Sequence, residues 1–279
     1  MPISLTEIFR SGRTLSQVLF LALSAGLYSC LPMWKEHSPW KDIADTPSQI
    51  HAALSLILGW LLVFRTNTAY ARWWEARTLW GSLVNASRNF ALKCSRLVRL
   101  ENDDLERVKN LLSDFAIALK MHLREEPASA EILRHNRIEG DWDHHPLAIS
   151  AELYRMLGKW KESGKIDGDE LRVLDAEAAR FMDICGACER IQRTRIVRSY
   201  RIFARQCVLI FLFTFPWGIA EDFGWWTMPL TAITAYFMLG LEVVAEHVEE
   251  PFGYDDDDLD LDALCRTISS SVADLIPNR

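Results

Sequence analysis

The sequence predicts an all-α membrane protein with four transmembrane helices and a cytoplasmic helical domain. Three observations carry that prediction: four long runs free of charge, arginine concentrated at one end of those runs, and a charged middle whose apolar residues recur at helical spacing. No useful length alternates with period two, and no internal repeat is visible.

The first run, Thr14 to Trp34, carries no charged side chain. At helical rise it spans roughly 31 Å, close to the thickness of a bilayer core. The opening MPISLTEIFRSGRT lacks the small-residue cleavage site of a secretory signal, so this run is expected to remain in the mature protein. A second run covers Thr46 to Phe64, a third Gln206 to Ala220 and a fourth Phe223 to Leu241, the last two divided by Glu221 and Asp222. The third is short and contains Pro216; alone it would read as a buried helix of a soluble protein. Four such runs in one chain read as membrane spans.

Cytoplasmic flanks of membrane helices are enriched in Lys and Arg. Arg10 and Arg13 precede the first run, seven basic residues from Arg65 to Arg99 follow the second, and six arginines from Arg190 to Arg205 precede the third. The linker from Lys35 to Asp45 holds two lysines, and the Glu221-Asp222 turn holds none. Four spans with both termini and the middle inside satisfy these placements, and with no other targeting signal a bacterial inner membrane is expected. Trp34, Trp40, Trp73, Trp74, Trp217, Trp225 and Trp226 stand near the run ends, where indole favours the headgroup level. The expected organisation is 1–65 for membrane helices one and two, 66–205 for the cytoplasmic domain, 206–243 for helices three and four, and 244–279 for a cytoplasmic C-terminal segment.

Within the middle, Val108, Leu111, Leu112, Phe115, Leu119 and Leu123 predict one helix. Leu171, Leu174, Ala178, Phe181, Ile184 and Ile191 predict another over 170–197, and a shorter helix is expected over 147–160. Pro127, Gly140, Pro146, Gly164 and Gly168 mark the connections.

A net charge of −7 argues against a general nucleic-acid binder, whose affinity rests on neutralising phosphates. Six scattered cysteines do not form a disulfide framework. Cys185 and Cys188 make a C-x-x-C pair on a predicted helix, which suits small residues packing against a neighbour better than a redox pair. Asp141, Asp143, His144 and His145 crowd metal-ligating atoms into one loop, but a metal site needs ligands converging from separated positions, so we read a surface loop. No nucleophile elbow, zinc-protease or P-loop motif is present, and no enzyme is expected.

After the second run the chain reads FRTNTAYARWWEARTLWG, an arginine- and tryptophan-rich helix that suits interfacial anchoring. This string resembles the bestrophin family of ion channels. Three further stretches resemble it in the same order: GACERIQRT at 186–194, FGWWTMPLTAITAYFMLGLE at 223–242 and EEPFGYDDDDLDLDALC at 249–265.

The resemblance implies a homopentamer in the bilayer, a ring around a central pore lined by the second span. Ala52, Leu56 and Trp60 recur every four residues and share one helix face. By resemblance they form the apolar neck, whereas by spacing alone they would simply pack against neighbouring helices. The family usually has a bulkier aliphatic residue at the position of Ala52 and Phe at that of Trp60, so the tight point is expected at Trp60. Ile196 matches the residue at the cytoplasmic aperture. The prolines common there are replaced by Arg195 and Val197, and Arg198 stands where an apolar residue is usual. Arg195 and Arg198 read either as anchors of the third span or as an electropositive collar that concentrates anions.

The acidic run Asp255 to Asp258, extended by Asp260 and Asp262, reads as a solvated segment and lacks the pattern of an EF-hand loop. By resemblance to animal bestrophins it matches a calcium clasp, with carboxylates at Asp255 and Asp258 and backbone oxygens at His247 and Glu250. Calcium is the one cofactor this raises, and none is expected to be required. The expected function is conduction of monovalent anions, chloride first, without nucleic-acid partners. A cation channel and a non-conducting scaffold are the alternatives, because an apolar neck carries no charge to select with.

Overall fold

The computed structural model describes residues 13–41, 47–126, 130–140, 142–255 and 257–276. Arg10, Asp45, Thr46, Pro127 and Asp141, used in the sequence reading, lie outside them. In chain order the helices are α1 (Arg13–Tyr28), α2 (Cys30–Glu36), α3 (Ser48–Arg96), α4 (Asn102–Leu123), α5 (Ala130–His135), α6 (His145–Glu162), α7 (Gly168–Arg193), α8 (Arg198–Phe223), α9 (Thr227–Glu249) and α10 (Leu261–Leu275), with a 3-10 turn at Gly224–Trp226. Among the described residues there is no strand. They fall into two compact units. The first takes the residues up to Arg72, then Arg195–Glu249, Asp255 and Asp257; the second takes Trp73–Thr194, Glu250–Tyr254 and the residues from Asp258 onward. The unit boundaries fall at 72 and 194, whereas the apolar runs end at 64 and resume at 206, so the helices carry on past the uncharged segments.

The stretches Ser16–Glu36, Ser48–Arg96 and Arg198–Glu249 are long and apolar enough to cross a membrane; the first and last belong to the first unit, and the second belongs to it as far as Arg72. The last holds two passes. Gly224, at φ +50°, a value that glycine adopts without a side-chain clash, reverses the chain, and Arg205 then meets Glu242 and Glu246 across the α8–α9 hairpin. The first apolar run breaks at Ser29, because Pro32 has no N–H to give the Tyr28 carbonyl and the helix restarts as α2. Helix α1 runs antiparallel to α9: a Cβ on Gly26 would stand 3.0 Å from the Ala232 Cβ, and one on Gly240 4.0 Å from Val18. Such small residues let membrane helices approach closely. Tyr28 joins α1 to α8, donating to the Phe213 carbonyl at 3.2 Å and accepting from the Trp217 indole at 2.7 Å. Ala22, Leu58, Leu62, Val208, Phe211, Leu212 and Ala235 form the core.

The second unit is a helical bundle around Trp80, Phe90, Leu112, Phe115, Leu119, Leu157, Leu174 and Phe181. The helix expected over 170–197 runs from Gly168 to Arg193, opened by a capping box in which Asp167 accepts from Glu170 N at 2.7 Å and Glu170 accepts from Asp167 N at 2.8 Å. Thr194 to Val197 leave the helix. Helix α10 was absent from the sequence reading. Its Leu261, Cys265, Ile268 and Val272 are buried at helical spacing, and Asp260 caps it by accepting from Ala263 N at 2.8 Å.

Candidate functional site

Over its first half α3 is two-faced. His51, Leu58, Leu62, Arg65 and Ala69 are buried, while Ala52, Leu56 and Trp60 are exposed. Leu56 and Trp60 expose 66% and 65% of their surface, which matters because both are large and apolar. Ile57, Val63 and Phe64 widen this exposed apolar face, and Phe64 meets Trp60 edge to face at 6.1 Å. The protomer therefore leaves uncovered the face that carries the three residues expected at the neck.

Ile196 lies in the short non-helical link between α7 and α8. Its amide donates to Glu249 Oε1 at 2.9 Å, and Glu249 is buried to 1% exposure. Arg72 Nε donates to the Glu249 carbonyl at 3.3 Å, and the Tyr200 hydroxyl donates to the Leu61 carbonyl at 3.3 Å, one residue past Trp60. Arg195 and Arg198 flank Ile196 and are exposed.

Two features of this unit were missed in the sequence. The sequence counts Arg65 and Arg205 among the basic flanks of the spans, but Arg65 is 1% exposed and pairs with the buried Glu242. Arg205 donates to Glu242 at 2.8 Å and to Glu246 at 2.5 Å. A signal existed: Arg65 and Glu242 are each the first charge after an apolar run, and Arg205 is the last before one, so α3 and α9, both antiparallel to α8, bring the three to equal depth. The second feature is His51, which packs against the rings of Phe211 and Phe215, with centroids 6.1 and 6.2 Å away. Gly218 makes the room, since a Cβ there would lie 2.2 Å from His51 Nδ1.

The acidic run is divided. His247, in the last turn of α9, and Asp255 belong to the first unit, where His247 Nδ1 stands 3.9 Å from Asp257. Glu250 and Asp258 belong to the second. There an Asp258 carboxylate oxygen and the Glu250 carbonyl lie 2.8 and 3.9 Å from the point where a Gly253 Cβ would stand. Two oxygens over one glycine suit a hard cation, of which calcium takes six to eight oxygen ligands. Asp260 and Asp262 are engaged otherwise, the first as a cap and the second with Lys120 at 2.9 Å and Arg124 at 3.6 Å. Cys185 and Cys188 are buried in α7, and burial pushes the Cys185 thiol up to about 12 and that of Cys188 higher, which keeps both protonated.

A bundle of apolar helices long enough to span a bilayer, with uncharged faces left open on α1, α3, α8 and α9, defines an integral membrane protein. The chain belongs to the bacterial and fungal bestrophin family, whose model, described as Bacterial/Fungal Bestrophin protein, matches residues 3–274. Relatives named voltage-dependent anion channel-forming proteins are 36% identical in Nostoc sp., over 79% of this chain and 75% of the relative, and 34% identical in Synechocystis sp., over 85% and 80%. One from Escherichia coli is 30% identical over 92% and 84%. The crystal structure of a bacterial Bestrophin homolog from Klebsiella pneumoniae superposes with a TM-score of 0.86 at 23% identity, covering 94% of this chain and 98% of that one. The four sequence motifs had pointed to this family.

Proposed function

We propose that this chain forms a homopentameric channel that conducts monovalent anions, chloride first, with Ala52, Leu56 and Trp60 as an apolar neck and Ile196 at the cytoplasmic aperture. The observation that carries the reading is the open face of α3: a buried stripe holds the helix to its own protomer, while the opposite, uncharged stripe is left for an axis. Rings of apolar side chains resist ions by disfavouring water in the constriction.

Selection then falls to the surroundings of the aperture. Arg195 and Arg198 are exposed beside Ile196, whereas Glu249 is buried and spends a carboxylate oxygen on the Ile196 amide. Exposed arginines at an aperture raise the local anion concentration. The names of the relatives favour the same sign. In this reading both termini face the cytoplasm across a bacterial inner membrane, no enzyme chemistry is involved, and calcium is not required.

The test is the reversal potential of purified protein in planar bilayers under a potassium chloride gradient. A shift toward the chloride equilibrium potential supports the proposal. A shift toward the potassium potential makes the channel cationic, and absence of current across many fusions makes the protein a scaffold.

A further inference from the structure

The sequence assigns His144 to a surface loop with Asp143 and His145, and the fold brings residues of two other helices to it. His144 at the start of α6, His122 in the last turn of α4 and Glu189 on α7 converge in the second unit, and their ligand atoms all lie within 4.8 Å of one another. His122 Nε2 and His144 Nε2 each stand 2.7 Å from Glu189 Oε1, and the two imidazoles overlap with centroids 4.3 Å apart. The three side chains are mostly buried, at 20%, 27% and 20% exposure for His122, His144 and Glu189, yet within reach of solvent. A cleft of about 370 Å³ opens beside them, lined by His122, by Glu125, Glu126 and Asp143 and by one guanidinium, Arg193, so the carboxylates outnumber the fixed cation at its approach.

We propose that His122, His144 and Glu189 bind one divalent transition-metal ion, zinc by donor chemistry, that staples α4, α6 and α7 together. Two imidazoles and a carboxylate are a borderline-soft set that suits Zn²⁺ and not Ca²⁺. Three ligands from three separated elements leave a fourth position for water. The present spacing is that of hydrogen bonds; a tetrahedral ion needs its ligand atoms roughly 3.3 Å apart, an opening of about half an ångström. Each imidazole must present its Nε2 lone pair and carry its proton on Nδ1. For His144 this gives up the bond by which Nδ1 accepts from the Leu147 amide at 3.1 Å, one cap contact exchanged for a metal bond. Burial raises the Glu189 carboxyl and the two histidine hydrogen bonds outweigh it, so the group sits below its ordinary range and is an anion ready to ligate. Cys185 Sγ lies 3.9 Å from Glu189 Oε1, outside the three-ligand set.

The experiment uses the full chain in detergent, stripped with chelator and titrated with Co²⁺ alone. The expected result is visible absorption of a low-symmetry Co²⁺ site that saturates at one ion per chain, is displaced by Zn²⁺, and weakens in acid, where protons compete with the metal for its ligands. Binding should fall by at least about tenfold in His122→Ala, His144→Ala and Glu189→Gln, and stay unchanged in His135→Ala. Absence of a saturable signal from the unmodified protein at 100-micromolar-order Co²⁺ overturns the proposal whatever the variants do. Full binding retained by folded His122→Ala and His144→Ala overturns it as well and assigns the metal to the cleft carboxylates.

Discussion

Side-chain size at single positions sets two expectations. Fivefold symmetry would turn Ala52, Leu56 and Trp60 into three stacked rings, and the ring with the largest side chain should be narrowest. Trp60→Ala is therefore expected to raise unitary conductance or open probability more than Leu56→Ala, and Ala52→Ser to change little, in single-channel records. If Leu56→Ala opens the channel while Trp60→Ala only lowers the yield of assembled protein, the indole is a packing residue and the gate lies one turn away. At Gly218 the expectation concerns space. A methyl group there meets the His51 ring at 2.2 Å, so Gly218→Ala should cost about 1–3 kcal/mol through overpacking. Thermal unfolding in detergent measures that loss, and adding His51→Ala to Gly218→Ala should recover part of it; no recovery would place the strain elsewhere.

Among elements, the three membrane helices α3, α8 and α9 are joined by charge as well as by apolar packing. Glu242→Gln leaves Arg65 buried without a counter-charge and should destabilise the first unit by about 3–5 kcal/mol. The pair exchanged together, Arg65→Met with Glu242→Leu, should come back close to the original melting temperature. Equal damage from the single and double changes would show that Arg65 acts through something other than this pair. Helix α10 supplies a pH-dependent case. The Lys120 hydrogen bond holds the Asp262 carboxyl below its ordinary range, with burial opposing. A depressed carboxyl contributes stability that is present above its unfolded value of 3.8 and is lost as pH falls through the lower folded value. Hydrogen exchange over Leu261–Leu275 should thus speed up at neutral pH in Asp262→Asn, and in the unmodified chain only under strong acid. That α10 escaped the sequence reading has a physical reason. Its apolar stripe is four residues long, and the acidic run before it, read as solvated, hides the cap that starts it. The long runs were legible because length and absence of charge leave few other structures. The His122–His144–Glu189 cluster was not, because its members are 22 and 45 positions apart and nothing local links them.

Taken as a whole, the protomer is unfinished. A membrane unit with a wide apolar face on α3, including Leu56, Ile57, Trp60, Val63 and Phe64, needs lipid, neighbours or both against it. Stepwise cross-linking of detergent-solubilised protein is expected to end at five subunits, and a ladder that stops at two or three would exclude the proposed ring. Calcium titration of single-channel currents should leave open probability unchanged at micromolar levels. A steep rise that vanishes in Asp255→Ala and Asp258→Ala would instead make the acidic run a gating clasp.

The bond from the Ile196 amide to Glu249 has a statistical consequence for such a ring. In the proposed ring each copy would hold its Ile196 by one carboxylate oxygen of its own chain, with no bond shared between neighbours. With Glu249→Ala every copy lacks that tether, each Ile196 should move on its own, and the current should flicker among graded sublevels whose occupancies follow a binomial distribution. Switching between two levels alone would mean that the aperture residues move in concert, and that cooperativity comes from contacts between neighbours and not from the tether within each chain.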